Sequence, residues 1–157
     1  MTLTRKTLIA GLATVLSTAF VFAQGQAPQP PKAPAGRTPH GKLAFVLTTG
    51  FEDLQTANMM LKQVKLAKET GYLENIAVVV YGRGVELFDN TGARPQLTAQ
   101  LIHDAQAAGV PFYICNNALH QLGIPAARLD PKPDQIVQFG IVKLSELISD
   151  GYQVIRY

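Results

Sequence analysis

The sequence has no tryptophan and only one cysteine, Cys115, among its 157 residues. A single thiol excludes an internal disulfide framework and any all-cysteine metal site. Charged residues are scarce, at 16% against 47% hydrophobic, the opposite of the composition of a disordered chain. Neither sign of charge dominates, since 14 basic and 11 acidic residues leave a formal +3. Two of the basic residues, Arg5 and Lys6, stand in the first ten positions; without them twelve face eleven, a balance of +1. Nucleic-acid-binding proteins usually carry a basic patch or stripe, so nucleic acid is not an expected partner. Signature motifs are missing as well: there is no GxGxxG, no GxxxxGK followed by Ser or Thr, and no GxSxG. The three histidines, His40, His103 and His120, show no metal-ligand spacing, and neither a metal nor a cofactor is implied. No repeat at a solenoid or propeller period is present, and the length suits one ordinary domain.

What is there begins with an export-type leader. Met1 to Thr7 carries Arg5 and Lys6, and Leu8 to Ala23 (LIAGLATVLSTAFVFA) has no charge. It closes with Val21-Phe22-Ala23, so residues 1–23 read as a secretory signal peptide cleaved after Ala23. Sixteen uncharged residues are short of the roughly 20 that a span needs, which disfavours a retained anchor. No cysteine follows that run to take a lipid, so the mature protein is expected to be periplasmic with no stable membrane span. Residues 24–39 (QGQAPQPPKAPAGRTP) hold five prolines and two glycines, the composition of a flexible, extended spacer. The foldable domain is then residues 40–157.

Strand and helix patterns alternate along that domain. Lys42 to Thr48 and Asn75 to Tyr81 are compact apolar runs, as expected of strands buried on both faces. Between them Asp53 is a natural N-cap, and Leu54, Ala57, Leu61, Val64 and Ala67 recur at helical spacing up to Gly71. Pro95 opens a second helix with an apolar stripe of Leu97, Leu101, Ala105 and Ala108. Val110 to Cys115 is a third strand, and Asn116 to Leu122 a short helix. Gln135 to Phe139 is a weaker fourth strand. Ile141, Leu144, Leu147 and Ile148 mark the last helix, and Tyr152 to Tyr157 a fifth strand. The alternation predicts an α/β fold: a three-layer, doubly wound, mostly parallel sheet of about five strands.

In such a sheet ligands gather beyond the carboxyl ends of the strands. Four loops qualify: Thr49 to Asp53 with Gly50, Gly82 to Glu86, Cys115 to Asn117, and the turn around Gly140. Cys115 ends a strand just ahead of a helix, and unpaired N–H groups at a helix start favour a thiolate. Free cysteine is also among the most buried residue types and often an inert small hydrophobe. Gly82-Arg83-Gly84 permits close backbone approach to a ligand, with Arg83 as an anion partner, or is simply a tight turn with a solvated arginine. His120, five residues past Cys115, is a second influence on the thiol.

The run Val110 to Ile124 (VPFYICNNALHQLGI) resembles the DsrE/DsrF-like sulfur-relay family, whose third strand ends in a cysteine followed by Asn/Ser-Ala-Leu and then Gly-Ile. The resemblance extends to the turn Tyr81-Gly82-Arg83-Gly84-Val85 and to the closing Gly151 to Ile155, covering nearly all of residues 40–157. It implies a DsrE-like doubly wound fold, homo-oligomers that are often trimers or hexamers, and sulfur carried as a cysteine persulfide. On that resemblance Cys115 is the functional cysteine, with a sulfur donor or acceptor protein as partner. Gly50, Gly82, Arg83, Asn116, Asn117 and His120 are the supporting candidates around it. Two features depart from the pattern. Tyr81 stands where a histidine often precedes the first glycine, and the better-understood relays are cytoplasmic. Two readings follow: a sulfur carrier with an accessible, readily ionised Cys115, or a non-catalytic oligomeric module binding a small ligand or protein.

Overall fold

The computed structural model describes residues 29–91 and 93–157; the expected leader and the first residues of the spacer lie outside them. Five strands, β1 (Lys42–Leu47), β2 (Asn75–Val80), β3 (Phe112–Cys115), β4 (Gln135–Val137) and β5 (Tyr152–Arg156), form one sheet. Their order is β4-β3-β2-β1-β5 and every pairing is parallel. The sheet expected to be mostly parallel is therefore wholly so. Ala44 to Leu47 and Ile76 to Val80 are buried on both faces, which is why they read as unbroken apolar runs.

The helices are α1 (Leu54–Thr70), α2 (Gln96–Ala107), α3 (Asn116–Gln121) and α4 (Gly140–Ser149). The carboxylate of Asp53 caps α1, accepting the Thr56 N–H at 3.0 Å and the Thr56 hydroxyl at 2.6 Å. Gly71 ends it at φ 72°, a left-handed position that a side chain would strain. Residues of α1, α2 and α3 pack with Phe45, Leu47, Val78, Val80, Phe112 and Ile114 into the larger core. On the opposite face Leu144 and Leu147 of α4 cover Ala44, Val46, Ala77 and Val79. The chain thus forms the three layers expected. No helix among the described residues is long and apolar enough to cross a membrane.

Two helix faces differ from the hydropathy pattern. Leu97 is 54% exposed, and the buried stripe of α2 is Thr98, Leu101, Ile102 and Ala105. The helix is rotated by one position because the buried Thr98 hydroxyl has a partner, donating to Asn58 Oδ1 at 2.9 Å. In α4, Ile141 and Ile148 are 60% and 53% exposed, since one helix covers its whole face of the sheet and turns only Leu144 and Leu147 inward. The described part of the proline-rich segment, residues 29–39, touches the domain. Ala33 N–H donates to the Thr70 carbonyl at 2.8 Å, His40 N–H to that of Tyr72 at 3.2 Å, and the Arg37 guanidinium lies 5.1 Å over the Tyr72 ring.

Candidate functional site

Parallel pairing aligns the carboxyl ends of β1, β2 and β3, so the loops leaving them are neighbours. Cys115 is the last residue of β3 and flanks the start of α3. It is 5% exposed, and its Sγ lies 3.9 Å from the Gln138 carbonyl oxygen, a weak thiol donor contact. The same carbonyl accepts the Asn117 N–H at 3.2 Å, and the Asn116 amide reaches Gln138 Oε1 at 3.5 Å. Asn116 and Asn117 therefore tie the end of β4 to the start of α3, and so set the wall beside the thiol.

Cys115 opens onto a cleft of about 310 Å³. Tyr81 and Gly82 enter it from the end of β2, Asn117, Ala118 and Gln121 from α3, and Phe139, Gly140 and Ile141 from the start of α4. A Cβ at Gly140 would stand 3.0 Å from the Tyr81 ring, so only glycine lets the tyrosine lie flush against the helix start. Phe139, the N-cap of α4, has no side-chain oxygen to offer, and the Gly140 and Ile141 N–H groups have no partner among the described residues. Free N–H groups and the positive end of a ten-residue helix thus border the cysteine cleft.

The other candidates are distributed differently. Gly82, at φ 57°, lines the cleft. Arg83 is not free for an anion: its Nε lies 3.1 Å from Glu52 and its guanidinium 3.0 Å from Glu86. The Glu86 hydrogen bond raises the already high pKa of Arg83, and the Gly50 N–H holds the Glu52 carboxyl below its usual range. Gly50 belongs to this latch and not to the cleft, because a Cβ there would meet the Arg83 carbonyl oxygen and Glu86 Oε2, both at 2.5 Å. Phe51 N–H completes the latch with a 3.3 Å bond to Glu86. His120 faces a second cleft of about 480 Å³ on the other flank of α3, bounded also by Asn116, Gly123 and Pro125. Of the residues beyond the sequence-derived set, Phe139 and Ile141 had one usable signal: the turn around Gly140 is a strand-end loop.

A parallel α/β sheet with one cysteine at its carboxyl edge, facing a helix start across a cleft, defines the class of protein. The DsrE/DsrF-like family model matches residues 41–157, and the chain belongs to that family. Solved structures share the fold. The ychN protein of E. coli superposes with a TM-score of 0.64 at 16% identity, over 74% of this chain and 99% of that one. A protein of unknown function from Methanobacterium thermoautotrophicum gives 0.60 at 19% identity, over 74% and 99%. A conserved protein of unknown function from Bacteroides thetaiotaomicron gives 0.59 at 20% identity, over 74% and 94%. No curated protein matches the sequence.

Proposed function

We propose that Cys115 carries a sulfane sulfur as a persulfide, in an exported protein that works as a homo-oligomer. The observation that carries the reading is the shared cleft of Cys115 and the uncapped start of α4. An anionic sulfur there meets the free Gly140 and Ile141 N–H groups and the positive helix end. In the transfer, the Cys115 thiolate attacks the outer sulfur of a donor R–S–SH. The Sγ–S bond forms, the donor S–S bond breaks, and R–S⁻ leaves with the electron pair. The proton on the transferred sulfur then passes to solvent, leaving Cys–S–S⁻. No oxidant is consumed, and delivery to an acceptor thiolate is the same exchange in reverse. Tyr81 replaces the histidine of the family pattern, so no imidazole from that position takes part.

The test is intact-mass measurement of the purified mature protein after exposure to inorganic polysulfide, beside a Cys115→Ser control of unchanged circular dichroism. One added sulfur on the wild type and none on the control is expected; an unmodified wild type refutes the reading. The 5% exposure of Cys115 favours the second reading, a cleft that binds a small ligand or protein without chemistry. Absent sulfur uptake, together with iodoacetamide labelling that requires denaturant, selects it. Export is supported by the leader composition and predicts a mature N-terminus at Gln24. Self-association is supported by the exposed Val142 and Ile148 of α4, which lie outside the cleft. Light scattering that finds only monomer at micromolar concentration refutes it.

A further inference from the structure

Resting on the sulfur-carrier reading, we infer that the donor at Cys115 is a small hydropersulfide with an uncharged carrier group, and that the cleft selects against carrier groups bearing a fixed negative charge. The argument starts from the charges around the cleft. Among the described residues, no wall position carries an acidic or basic side chain: Tyr81, Asn117, Ala118, Gln121, Phe139 and Ile141 surround the thiol. The Arg and Lys side chains on the adjoining elements are engaged elsewhere, and His120 of α3 faces the other cleft. Arg83 lies between Glu52 and Glu86, at 3.1 and 3.0 Å. Lys143 is 3.1 Å from Glu146 and sits 4.6 Å over the Tyr113 ring. What remains is the start of α4, equivalent to about half an elementary charge.

That partial charge complements one anionic sulfur, and the reaction itself generates one on Cys115. A second, permanent anion on the donor would enter the cleft with no cation to meet it and would lose its hydration. The walls instead suit an apolar carrier group, which Ala118, Phe139 and Ile141 can cover. A cleft of about 310 Å³ is at the small end of ligand sites, so the carrier group is short. The selected donor is thus R–S–SH with a short alkyl R. It transfers its outer sulfur to Cys115 and leaves as the alkyl thiolate.

Two donors with the same reacting group and different charge test this: ethyl hydropersulfide and its 2-sulfonate analogue. Sulfur addition to the mature protein is followed by quenched intact-mass measurement. Each rate is divided by the rate of the same donor with a small free thiol at the same pH, which removes intrinsic reactivity. The expected normalised preference for the neutral donor is about tenfold or more, corresponding to about 1.4 kcal/mol. Ile141→Lys adds a cation at an exposed rim position and should narrow that preference, whereas Ile141→Met should leave it. Equal normalised rates, or faster loading by the sulfonate, would overturn the inference while sulfur carriage stands. Loading by neither donor would overturn both.

Discussion

Two glycines at the strand ends differ in what surrounds the missing side chain, and alanine at each should cost a different amount. At Gly84 an added Cβ would lie 2.5 Å from the Leu47 carbonyl oxygen and 3.0 Å from its carbon. That carbonyl belongs to β1 and accepts the Tyr81 N–H at 3.1 Å, so it cannot retreat without losing a bond. Gly84 N–H is itself bound to Thr48 O at 3.1 Å, which holds the other side of the contact. At Gly140 the nearest atoms belong to the Tyr81 side chain, at 3.0, 3.1 and 3.2 Å, and a partly buried ring can give by a few tenths of an ångström. Overpacking against fixed backbone belongs at the upper end of its usual range, about 3 kcal/mol, and against a movable ring at about 1 kcal/mol. For a domain of this size those figures correspond to losses of about 12 and about 4 °C in melting temperature. Gly140→Ala should also shift the Tyr81 ring, which lines the cleft with Cys115, and slow sulfur loading several-fold, whereas the Cβ of Gly84→Ala meets the Leu47 carbonyl and not that ring. Thermal unfolding by circular dichroism and the loading rate are read on the same samples. A Gly84→Ala protein that melts within a degree of wild type would refute the close-approach reasoning, and unchanged loading in Gly140→Ala would refute the placement of Tyr81 at the site.

Acid should destabilise the fold. The Arg128 hydrogen bond depresses the Asp89 pKa, the Arg94 hydrogen bond that of Asp130, and the Gly50 N–H that of Glu52. A depressed carboxyl stabilises the fold above its unfolded pKa, 3.8 for Asp and 4.5 for Glu, and loses that contribution as pH falls through the folded value. The melting temperature should therefore be level from about pH 5 to 8 and fall below about pH 4, less steeply in Asp89→Asn; a level profile down to strong acid contradicts this. Thr98→Val removes the donor to Asn58 in a fully buried setting and should cost about 1 kcal/mol in urea unfolding, with no change in sulfur loading. A chain beginning at His40 loses the Ala33–Thr70 bond and the Arg37–Tyr72 contact, and should melt only a few degrees below the mature form. A drop of more than about 10 °C would show that residues 24–39 form part of the domain's core packing.

The elements most legible in the sequence were those whose physics is local or uniform. β1 and β2 are apolar on both faces, so their assignment needed no phase, and Asp53 and Gly71 bound α1 by capping chemistry that spans a few residues. The apolar run Val110 to Cys115 placed the cysteine at the end of β3, where it lies. Phase was less visible. A hydropathy stripe puts Leu97 inward and Thr98 outward, and only the Asn58 side chain, 40 residues away, reverses that order. The same limit hid the role of Arg83. Its partners Glu52 and Glu86 come from two loops that meet only because β1 and β2 are paired, so a glycine-flanked arginine looked free in one dimension. The described part of the proline-rich segment was read from composition alone, which contains nothing about the Thr70 carbonyl and the Tyr72 ring it meets.

The helix start beside Cys115 follows from topology more than from local sequence. From β1 to β4 the chain steps outward across the sheet in one direction, and right-handed crossovers put α1, α2 and α3 on one face. β5 lies beside β1, so the last crossover runs back the other way, and the same handedness sends α4 to the opposite face. α4 must begin where β4 ends, at the carboxyl edge next to β3. Its first residue then packs on Tyr81, at the end of β2, and its first turn borders the end of β3. A cysteine placed last on β3 meets a helix start in this order of strands whatever the loop composition. The six-residue α3 that follows Cys115 in sequence is the nearer helix along the chain, but the uncapped ten-residue α4, arriving from 25 positions further on, lines the same cleft. The positive partial charge bordering Cys115 is thus supplied by backbone, and on the proposed sulfur-carrier reading the side chains around it are left to choose the donor.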